Sequence, residues 1–377
     1  MKTSLSCDLK GQQKLFVFFL NQTSSCCRAY PETLDPSKSL NNYIEHWQNE
    51  SRALDQGIEI ASCEHCWKRE RNGEISLRSD QERSNWGEII ELAFSNACNQ
   101  MCSYCSPKFS STWQDSVSKH GVFENISQNA KNNLQIPKIP DTRTEYWMNQ
   151  IDDYIQHRPD NSVTLKLIGG EPLMQIANLQ KLLRSRCDKI KKIEITTNLN
   201  PPDNKFLLWL LQNVDTEKIR MTVSLDACPD YNHVPRAGFD QKKFQDNLKL
   251  LINHKVNFEF LAVMSVLGIF DIANYIKWAN KNNFKVVFNS INNPDCLDPK
   301  YIPQQFLQPI TKQFGDHTPP MLFSDLLKIE QPEVGLKLFE QYNYLTQYFS
   351  RTDINPEKIN NQFFQDYWNW LTNKVKK

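Results

Sequence analysis

The chain has 377 residues, which at roughly 150 residues per domain predicts two domains or one barrel with additions. Hydrophobic residues make up 40% and charged residues 23% of the sequence, so the chain can bury a sizeable core and is unlike a disordered one. The formal net charge of +1 provides no global basic field, and a nucleic-acid partner is therefore not expected.

The first candidate element is the apolar run at residues 15–20. Six apolar residues are too few for a signal-peptide core and far too few for a membrane span, so the run predicts a buried strand and no membrane association. The eleven cysteines are an odd number in a long chain, which argues against a disulfide framework. They fit a reducing compartment in which thiolates can hold metal, and we expect a cytoplasmic protein.

The most informative motif is a loop with three cysteines, Cys98, Cys102 and Cys105, spaced C-x3-C-x2-C after a predicted strand at residues 88–94. Iron–sulfur clusters are held by cysteine thiolates. A cubane presents four irons, so three protein ligands leave one iron with an open position, where chemistry at a metal centre usually takes place. A zinc site and reduced structural thiols are the alternatives for three close cysteines.

This loop resembles the signature loop of the radical S-adenosylmethionine (SAM) enzymes, and Tyr104 supplies the aromatic residue that the family usually has before the third cysteine. The resemblance implies that Cys98, Cys102 and Cys105 bind a 4Fe-4S cluster whose open iron is chelated by the amino and carboxylate groups of SAM. It further implies reductive cleavage of SAM to methionine and a 5′-deoxyadenosyl radical that abstracts a hydrogen atom.

Strand-like runs then recur with helix-length spacers between them. Further strands are predicted at residues 163–168, 192–196, 220–225, 257–263 and 284–288, and amphipathic helices at residues 144–157, 176–186, 204–213, 241–253 and 272–282. Strands that alternate with helices predict an α/β fold with a parallel sheet. The series resembles the partial (β/α)6 TIM-type barrel of the radical SAM family, and an open doubly wound sheet is the alternative. The polar tract at residues 106–141 predicts either a lid over the substrate or a solvated insertion.

A glycine-rich segment, Gly169, Gly170 and Glu171, closes the second strand of this series, at the end where β/α barrels keep their active sites. Glycines let the backbone approach a ligand closely, and a carboxylate accepts a strong hydrogen bond from an ammonium group. The radical SAM resemblance implies that this segment holds the amino group of SAM.

Three more polar residues, Asn198, Ser224 and Arg236, lie at or after the ends of the next two strands. Their side chains supply donors suited to ribose hydroxyls and to a carboxylate. The resemblance implies that they bind those parts of SAM. The alternatives are a turn residue for Asn198, a strand hydroxyl for Ser224 and a surface ion pair for Arg236.

The amino-terminal part contains a second group of cysteines, with Cys63 and Cys66 in a C-x2-C pair and Cys26 and Cys27 upstream. This small module resembles the twitch domain, a short relative of the SPASM domain of radical SAM maturases. The resemblance implies an auxiliary iron–sulfur cluster on Cys26 or Cys27 together with Cys63 and Cys66. Zinc and no metal at all are the alternatives, because C-x2-C pairs are equally typical of zinc sites.

These patterns predict three domains: a twitch-like module at residues 1–87, a radical SAM partial barrel at 88–290 and a helical extension at 291–377. The twitch resemblance implies a peptide or protein substrate, and we expect an electron donor such as flavodoxin or ferredoxin. Radical modification of a nucleotide, sugar or RNA is the alternative among enzymes. A non-catalytic iron–sulfur or zinc-binding protein is the alternative outside them. The aromatic stripe at residues 363–371 predicts helix packing.

Overall fold

The computed structural model describes residues 7, 15–19, 22–26, 29–76, 78–79, 88–93, 95–137, 144–291, 293–329 and 335–376. The chain divides into two compact units. The first comprises Met1–Asn96, Lys138–Thr196 and Lys205–Arg220, and the second comprises Ala97–Pro137, Thr197–Asn204 and Met221–Lys377.

The strands of the described residues are β1 (Leu15–Phe19), β2 (Gln22–Ser24), β3 (Glu32–Thr33), β4 (Glu88–Ala93), β5 (Met101–Cys102), β6 (Val163–Leu167), β7 (Ile190–Thr197), β8 (Ile219–Ser224), β9 (Arg236–Ala237), β10 (Asn257–Met264) and β11 (Val286–Ser290).

The helices are α1 (Leu40–Asp55), α2 (Glu64–Arg71), α3 (Ser111–His120), α4 (Gln128–Asn133), α5 (Thr144–Gln156), α6 (Ile176–Arg186), α7 (Lys205–Asn213), α8 (Gln241–Asn253), α9 (Ile272–Lys281), α10 (Gln304–Thr311), α11 (Met321–Leu326), α12 (Gly335–Ser350) and α13 (Gln362–Val375).

The first unit is built on a sheet in which β7, β6, β4, β1, β2 and β3 are neighbours in that order. The pairs β1–β4, β4–β6 and β6–β7 are parallel, and β2 pairs antiparallel with both β1 and β3. Along β6, Val163, Leu165 and Leu167 are buried and alternate with half-buried residues, as the two-residue period of a strand requires. Glu91 lies opposite Lys166 in the sheet and pairs with its ammonium group at 2.8 Å.

The second unit contains strands in the order β11, β10 and β8, of which β10 and β11 pair in parallel. Helix α8 connects β8 to β10. It begins at Asp240, whose side chain accepts a hydrogen bond from the Lys243 N–H at 3.0 Å and so satisfies one donor of the first turn. Phe244, Leu248 and Leu251 recur at helical spacing and are buried, which gives the helix one apolar face.

The polar tract between the first two predicted barrel strands is folded rather than merely solvated. It contains α3 and α4, and Trp113 and Phe123 are both buried. The Phe123 ring contacts Tyr344 of α12 edge-on with centroids 4.8 Å apart, and Trp113 lies 5.6 Å from Phe123. Trp113, Phe123 and Leu134 belong to one core cluster with residues of α12 and α13, so the segment packs into the core of the second unit.

The aromatic stripe near the carboxyl terminus packs as predicted. Phe364, Tyr367 and Trp368 of α13 are buried. The Phe270 ring lies 5.3 Å from Tyr367 and 5.9 Å from Phe364. Centroid separations of this size are typical of favourable aromatic pairs.

The predicted α/β fold class, a partial (β/α)6 TIM-type barrel followed by a helical carboxyl-terminal region, is confirmed. Every strand and helix predicted from periodicity is present with bounds shifted by at most two residues. Within the described residues no helix has the length and apolar character needed to cross a membrane. The domain boundaries after residues 87 and 290 stay predictions.

We expect Leu251→Ala to lower the free energy of unfolding by about 2–5 kcal/mol, because a fully buried leucine leaves a cavity when it is truncated. Ile252 follows it in the same helix and is 48% exposed. Ile252→Ala should therefore change the free energy of unfolding by only about 0.5 kcal/mol. Urea unfolding followed by circular dichroism measures both variants, and equal effects would contradict the packing described here.

Candidate functional site

The loop with Cys98, Cys102 and Cys105 is held by the first turn of α3. The Ser110 hydroxyl donates to the Gln100 carbonyl at 2.8 Å and accepts a hydrogen bond from the Trp113 N–H. The Thr112 hydroxyl donates to the Cys98 carbonyl at 2.7 Å, and the Trp113 indole N–H donates to the Cys102 carbonyl at 2.8 Å. The loop backbone is therefore fixed by side chains that come a few residues later in the chain.

Two tyrosines of α12 hold the same loop from the far end of the sequence. The Tyr344 hydroxyl donates to the Ser103 carbonyl at 2.8 Å, and the Tyr348 hydroxyl donates to the Met101 carbonyl at 3.0 Å. Tyr348 also accepts a hydrogen bond from the Ala237 N–H at 3.2 Å. Both rings are fully buried, so these hydroxyls reach the loop from inside the core. No motif in the sequence indicates this support.

A short antiparallel ribbon joins the loop to the segment around Arg236. In it Met101 lies opposite Ala237 and Cys102 lies opposite Arg236. Gly238 follows with φ +89°, and a β-carbon at this position would lie 2.6 Å from the Asn99 carbonyl oxygen. Glycine is required here both for the backbone conformation and for the close approach of the two segments.

Arg236, Asp226 and Tyr104 form a buried network beside Cys102. Arg236 donates to the Asp226 carboxylate through Nε at 2.8 Å and through Nη2 at 3.2 Å. Its Nη2 also donates to the Tyr104 hydroxyl, which in turn donates to Asp226 at 2.8 Å. Its Nη1 donates to the Cys102 sulfur at 3.5 Å. Burial would lower the pKa of Arg236, but the charges of Asp226 and its other neighbours hold the pKa well above its usual range.

Two thiols of the loop, those of Cys102 and Cys105, are in surroundings that oppose ionisation in the absence of a further cation. Burial raises the pKa of Cys102, although the nearby Arg236 charge partly offsets this. Burial also raises the pKa of Cys105, and the charges of Cys102 and Cys98 raise it further, so the three sulfurs lie within electrostatic reach of one another. Because thiolates are the form that binds metal, a cationic centre suits this loop.

The described residues contain no group of three or more His, Cys, Asp or Glu side chains arranged around a single metal ion. The cysteines of an iron–sulfur cluster each bind a different iron, so their sulfurs stand farther apart than the ligands of one ion. The cysteine loop fits a cluster in the chemistry of its donors.

Two further residues predicted to bind SAM, Asn198 and Ser224, lie in the same unit as the loop, as Tyr104 and Arg236 do. The Asn198 side-chain amide lies 4.0 Å from the Cys98 sulfur and donates to the Asn99 side chain at 3.2 Å. Its carbonyl oxygen accepts a hydrogen bond from the Asn200 N–H at 2.8 Å. Ser224 ends β8 and is partly buried. The structure thus brings Asn198 to the cysteine loop.

Gly169, Gly170 and Glu171 belong to the first unit and follow β6. Both glycines have positive φ, +77° and +54°, which side chains rarely allow. Glu171 is 1% exposed, and its carboxylate accepts a hydrogen bond from the Leu173 N–H at 3.0 Å. The Gln175 side chain donates to the Gly169 carbonyl at 3.0 Å. This turn is therefore held in one conformation by its own side chains.

The amino-terminal cysteines are buried in the first unit, apart from Cys27, which lies outside the described residues. Cys63 and Cys66 lie at the start of α2. Cys26 and Cys63 share one hydrophobic cluster with Cys7, a residue that belongs to no motif of the sequence. The Tyr30 N–H donates to the Ser62 carbonyl at 3.0 Å and joins the backbone near Cys26 to that near Cys63. The sequence feature that could have pointed to Cys7 is its position as a further cysteine upstream of Cys63 and Cys66.

Gly238→Ala should destabilise the protein by about 1–3 kcal/mol through backbone strain. The loss should be larger still, because the added β-carbon would clash with the Asn99 carbonyl oxygen. Gly121 is the matched control. It has φ +77°, but its β-carbon would enter open space, so Gly121→Ala should show the strain alone. Urea unfolding compares the two, and an equal loss in both variants would contradict the close approach at Gly238.

Comparison with known proteins identifies the family of the chain. A model of the radical SAM superfamily matches residues 92–291. The solved structure of native anSMEcpe with bound AdoMet is 18% identical, covers 60% of this chain and 58% of that one, and has a TM-score of 0.41. SuiB of Streptococcus suis bound to its precursor peptide SuiA is 14% identical over 84% of this chain and 54% of that one, with a TM-score of 0.37.

In these two comparisons this chain spans less than two thirds of the length of the other chain. A likeness at this level carries no information on substrate. A search of curated proteins gave no match. The family model covers more than half of the 377 residues and includes the cysteine loop. The chain belongs to the radical SAM superfamily.

Proposed function

We propose that this chain is an enzyme that holds a 4Fe-4S cluster on Cys98, Cys102 and Cys105 and cleaves SAM reductively, so that a hydrogen atom is abstracted from a peptide or protein substrate. The observation that carries the proposal is the rigid backbone of the cysteine loop. The carbonyls of Cys98, Met101 and Cys102 are each fixed by a side chain from α3 or α12. On this fixed backbone the three cysteine sulfurs would be the donors to a metal centre.

When bound, a reduced cluster supplies the electron that cleaves SAM to methionine and a 5′-deoxyadenosyl radical. The protein's part is to bind and orient SAM and to keep water away from the reacting C–H bond. Asn198 is suited to a ribose hydroxyl, since its amide already lies near the Cys98 sulfur. We assign Ser224 to the same part of SAM and Arg236 to its carboxylate.

The segment Gly169–Glu171 is our candidate for binding the SAM amino group, and Tyr104 for a place beside the adenosyl moiety. The positive φ of both glycines supports this proposal, because it turns backbone groups toward a ligand without a side chain in the way. Glu171 is buried, and a buried carboxylate favours a cationic partner. These assignments follow the family resemblance of the motif.

The peptide or protein substrate is the finer part of the proposal and follows from the twitch resemblance of the amino-terminal module. AdoMet and a precursor peptide are ligands of anSMEcpe and SuiB, respectively. A nucleotide, sugar or RNA substrate is the alternative. An electron donor such as flavodoxin or ferredoxin is required for reductive cleavage, and a reducing cytoplasm is the setting that we propose.

The amino-terminal module is proposed to hold an auxiliary iron–sulfur cluster on Cys63, Cys66 and Cys26, with Cys7 or Cys27 as a fourth ligand. The burial of Cys7, Cys26 and Cys63 in one cluster supports this choice and favours Cys7. The link between Tyr30 and Ser62 keeps the two cysteine segments together. Zinc is the alternative metal for this set.

Replacement of Cys102 by alanine should abolish both iron binding at the loop and the formation of 5′-deoxyadenosine from SAM, because a cluster ligand is lost. Cys187→Ala is the matched control, since Cys187 lies outside both cysteine groups. Iron content and 5′-deoxyadenosine are measured after anaerobic reconstitution and reduction. Cleavage of SAM by the Cys102→Ala protein at the wild-type rate would refute the proposed function.

The auxiliary cluster is tested in a variant in which Cys98, Cys102 and Cys105 are all alanine. We expect about four irons per chain to remain, as one 4Fe-4S cluster requires. Adding Cys66→Ala should remove them, whereas adding Cys187→Ala should not. Zinc in place of iron, or no bound metal in the triple variant, would refute the auxiliary cluster and leave the cluster of the loop unaffected.

A further inference from the structure

The register of the β5–β9 ribbon places Arg236 beside Cys102. The two residues are direct partners in an antiparallel pair. Side chains of directly opposite residues lie on the same face, with their β-carbons about 4.5–5.5 Å apart. The Ser103 N–H also donates to the Pro235 carbonyl at 2.8 Å, which extends the contact by one residue. The register of the ribbon therefore places the guanidinium group next to the sulfur of Cys102.

The guanidinium group cannot rotate away from that sulfur without breaking other bonds. Nε and Nη2 of Arg236 are both engaged by the Asp226 carboxylate, which leaves Nη1 directed at Cys102 at 3.5 Å. Asp226 is itself fixed, because its carboxylate accepts a hydrogen bond from the Val263 N–H at 2.9 Å and its own N–H donates to Asn232 at 2.9 Å.

Burial strengthens the electrostatic effect of Arg236 on the Cys102 sulfur. The Arg236 side chain is 8% exposed and the Asp226 side chain 0% exposed. In such surroundings a hydrogen bond and a fixed charge act more strongly than they do in water. The Asp226 carboxylate compensates the buried guanidinium charge, so that Nη1 meets the sulfur mainly as a directed N–H donor.

We propose that Arg236 tunes the cluster of the cysteine loop by donating an N–H to the Cys102 sulfur, and that Asp226 is the positioning residue that aims this donor. The inference rests on the proposed function, since it requires a cluster on Cys102. Hydrogen bonds to the sulfurs are among the factors that set the reduction potential of a cluster. A donor stabilises the more negative, reduced form, and Arg236 thus raises the potential.

This role differs from binding the carboxylate of SAM in one measurable respect. A donor to Cys102 acts on the cluster whether or not SAM is present. A group that serves only to bind SAM changes the affinity for SAM and leaves the potential of the SAM-free protein unchanged. The two roles of Arg236 are therefore separated by a measurement made without SAM.

The test is a potentiometric titration of the full-length, anaerobically reconstituted protein without SAM, followed by electron paramagnetic resonance. The signal of the loop cluster is the one that Cys102→Ala removes. In Arg236→Gln we expect the ratio of reduced to oxidised cluster at a fixed potential to fall about tenfold, which corresponds to about 59 mV for a one-electron couple.

Arg351→Gln is the matched control. Arg351 lies in the same unit, donates to the Gly121 carbonyl at 2.7 Å and stacks on Phe123 at 4.4 Å. It takes no part in the contacts of Cys102 described above, so its replacement should leave the potential at the wild-type value. An equal shift in both arginine variants would overturn the assignment to Arg236.

The positioning role of Asp226 has its own readout. Resonance Raman spectra of the wild-type cluster should contain iron–cysteine stretching bands that shift on exchange into D2O, because an exchangeable N–H is bonded to the sulfur. Asp226→Asn should lose this sensitivity while keeping its iron and sulfide, as Arg236→Gln should. Retention of the D2O shift in Asp226→Asn would overturn its positioning role.

Failure of the inference is distinguishable from failure of the proposed function. If Arg236→Gln binds iron and sulfide normally and keeps the wild-type potential, the inference is wrong and the enzyme assignment is unaffected. If the wild-type loop binds no cluster, the proposed function itself fails. If Arg236→Gln does not fold, Arg236→Lys is the second variant. It keeps a cation beside Asp226 but has no second nitrogen to donate to Cys102, so the same lowering of the potential is expected.

Discussion

The buried ion pair between Arg236 and Asp226 is the interaction on which the geometry of the cysteine loop depends. The pair joins the segment after β8 to the ribbon that contains Cys102, and the Val263 N–H extends the network to β10. Loss of one partner would leave the other charge buried and uncompensated, which costs about 3–5 kcal/mol. Because the ion pair is this costly to break, it holds the loop beside it in a fixed position.

Helices α12 and α3 of the second unit also support the loop. Tyr344 and Tyr348 of α12 bond carbonyls that lie more than 240 residues earlier in the chain. Their rings belong to the same core cluster as Trp113, whose indole group holds the Cys102 carbonyl. The helical carboxyl-terminal region thus fixes the backbone that carries the three cysteine sulfurs, and packing there is coupled to the loop.

Periodicity and local motifs predicted most of the fold and the identity of the cysteine loop, because both are properties of short stretches of sequence. The contacts of Asp226, which follows the end of β8, were not predictable in this way. Its partners Tyr104 and Arg236 come from other segments of the chain, and Val263 supplies only a backbone group. Likewise, Cys7 is distant in sequence from Cys63, and only the fold brings them into one cluster.

The most direct test of the account is the electron paramagnetic resonance spectrum of the reduced protein with and without SAM. SAM bound at a cluster on Cys98, Cys102 and Cys105 would change the surroundings of that cluster. We therefore expect SAM to shift the spectrum of the loop cluster and 5′-deoxyadenosine to form as the reduced signal decays. A cluster whose spectrum is unchanged by saturating SAM, with no 5′-deoxyadenosine formed, would contradict this expectation.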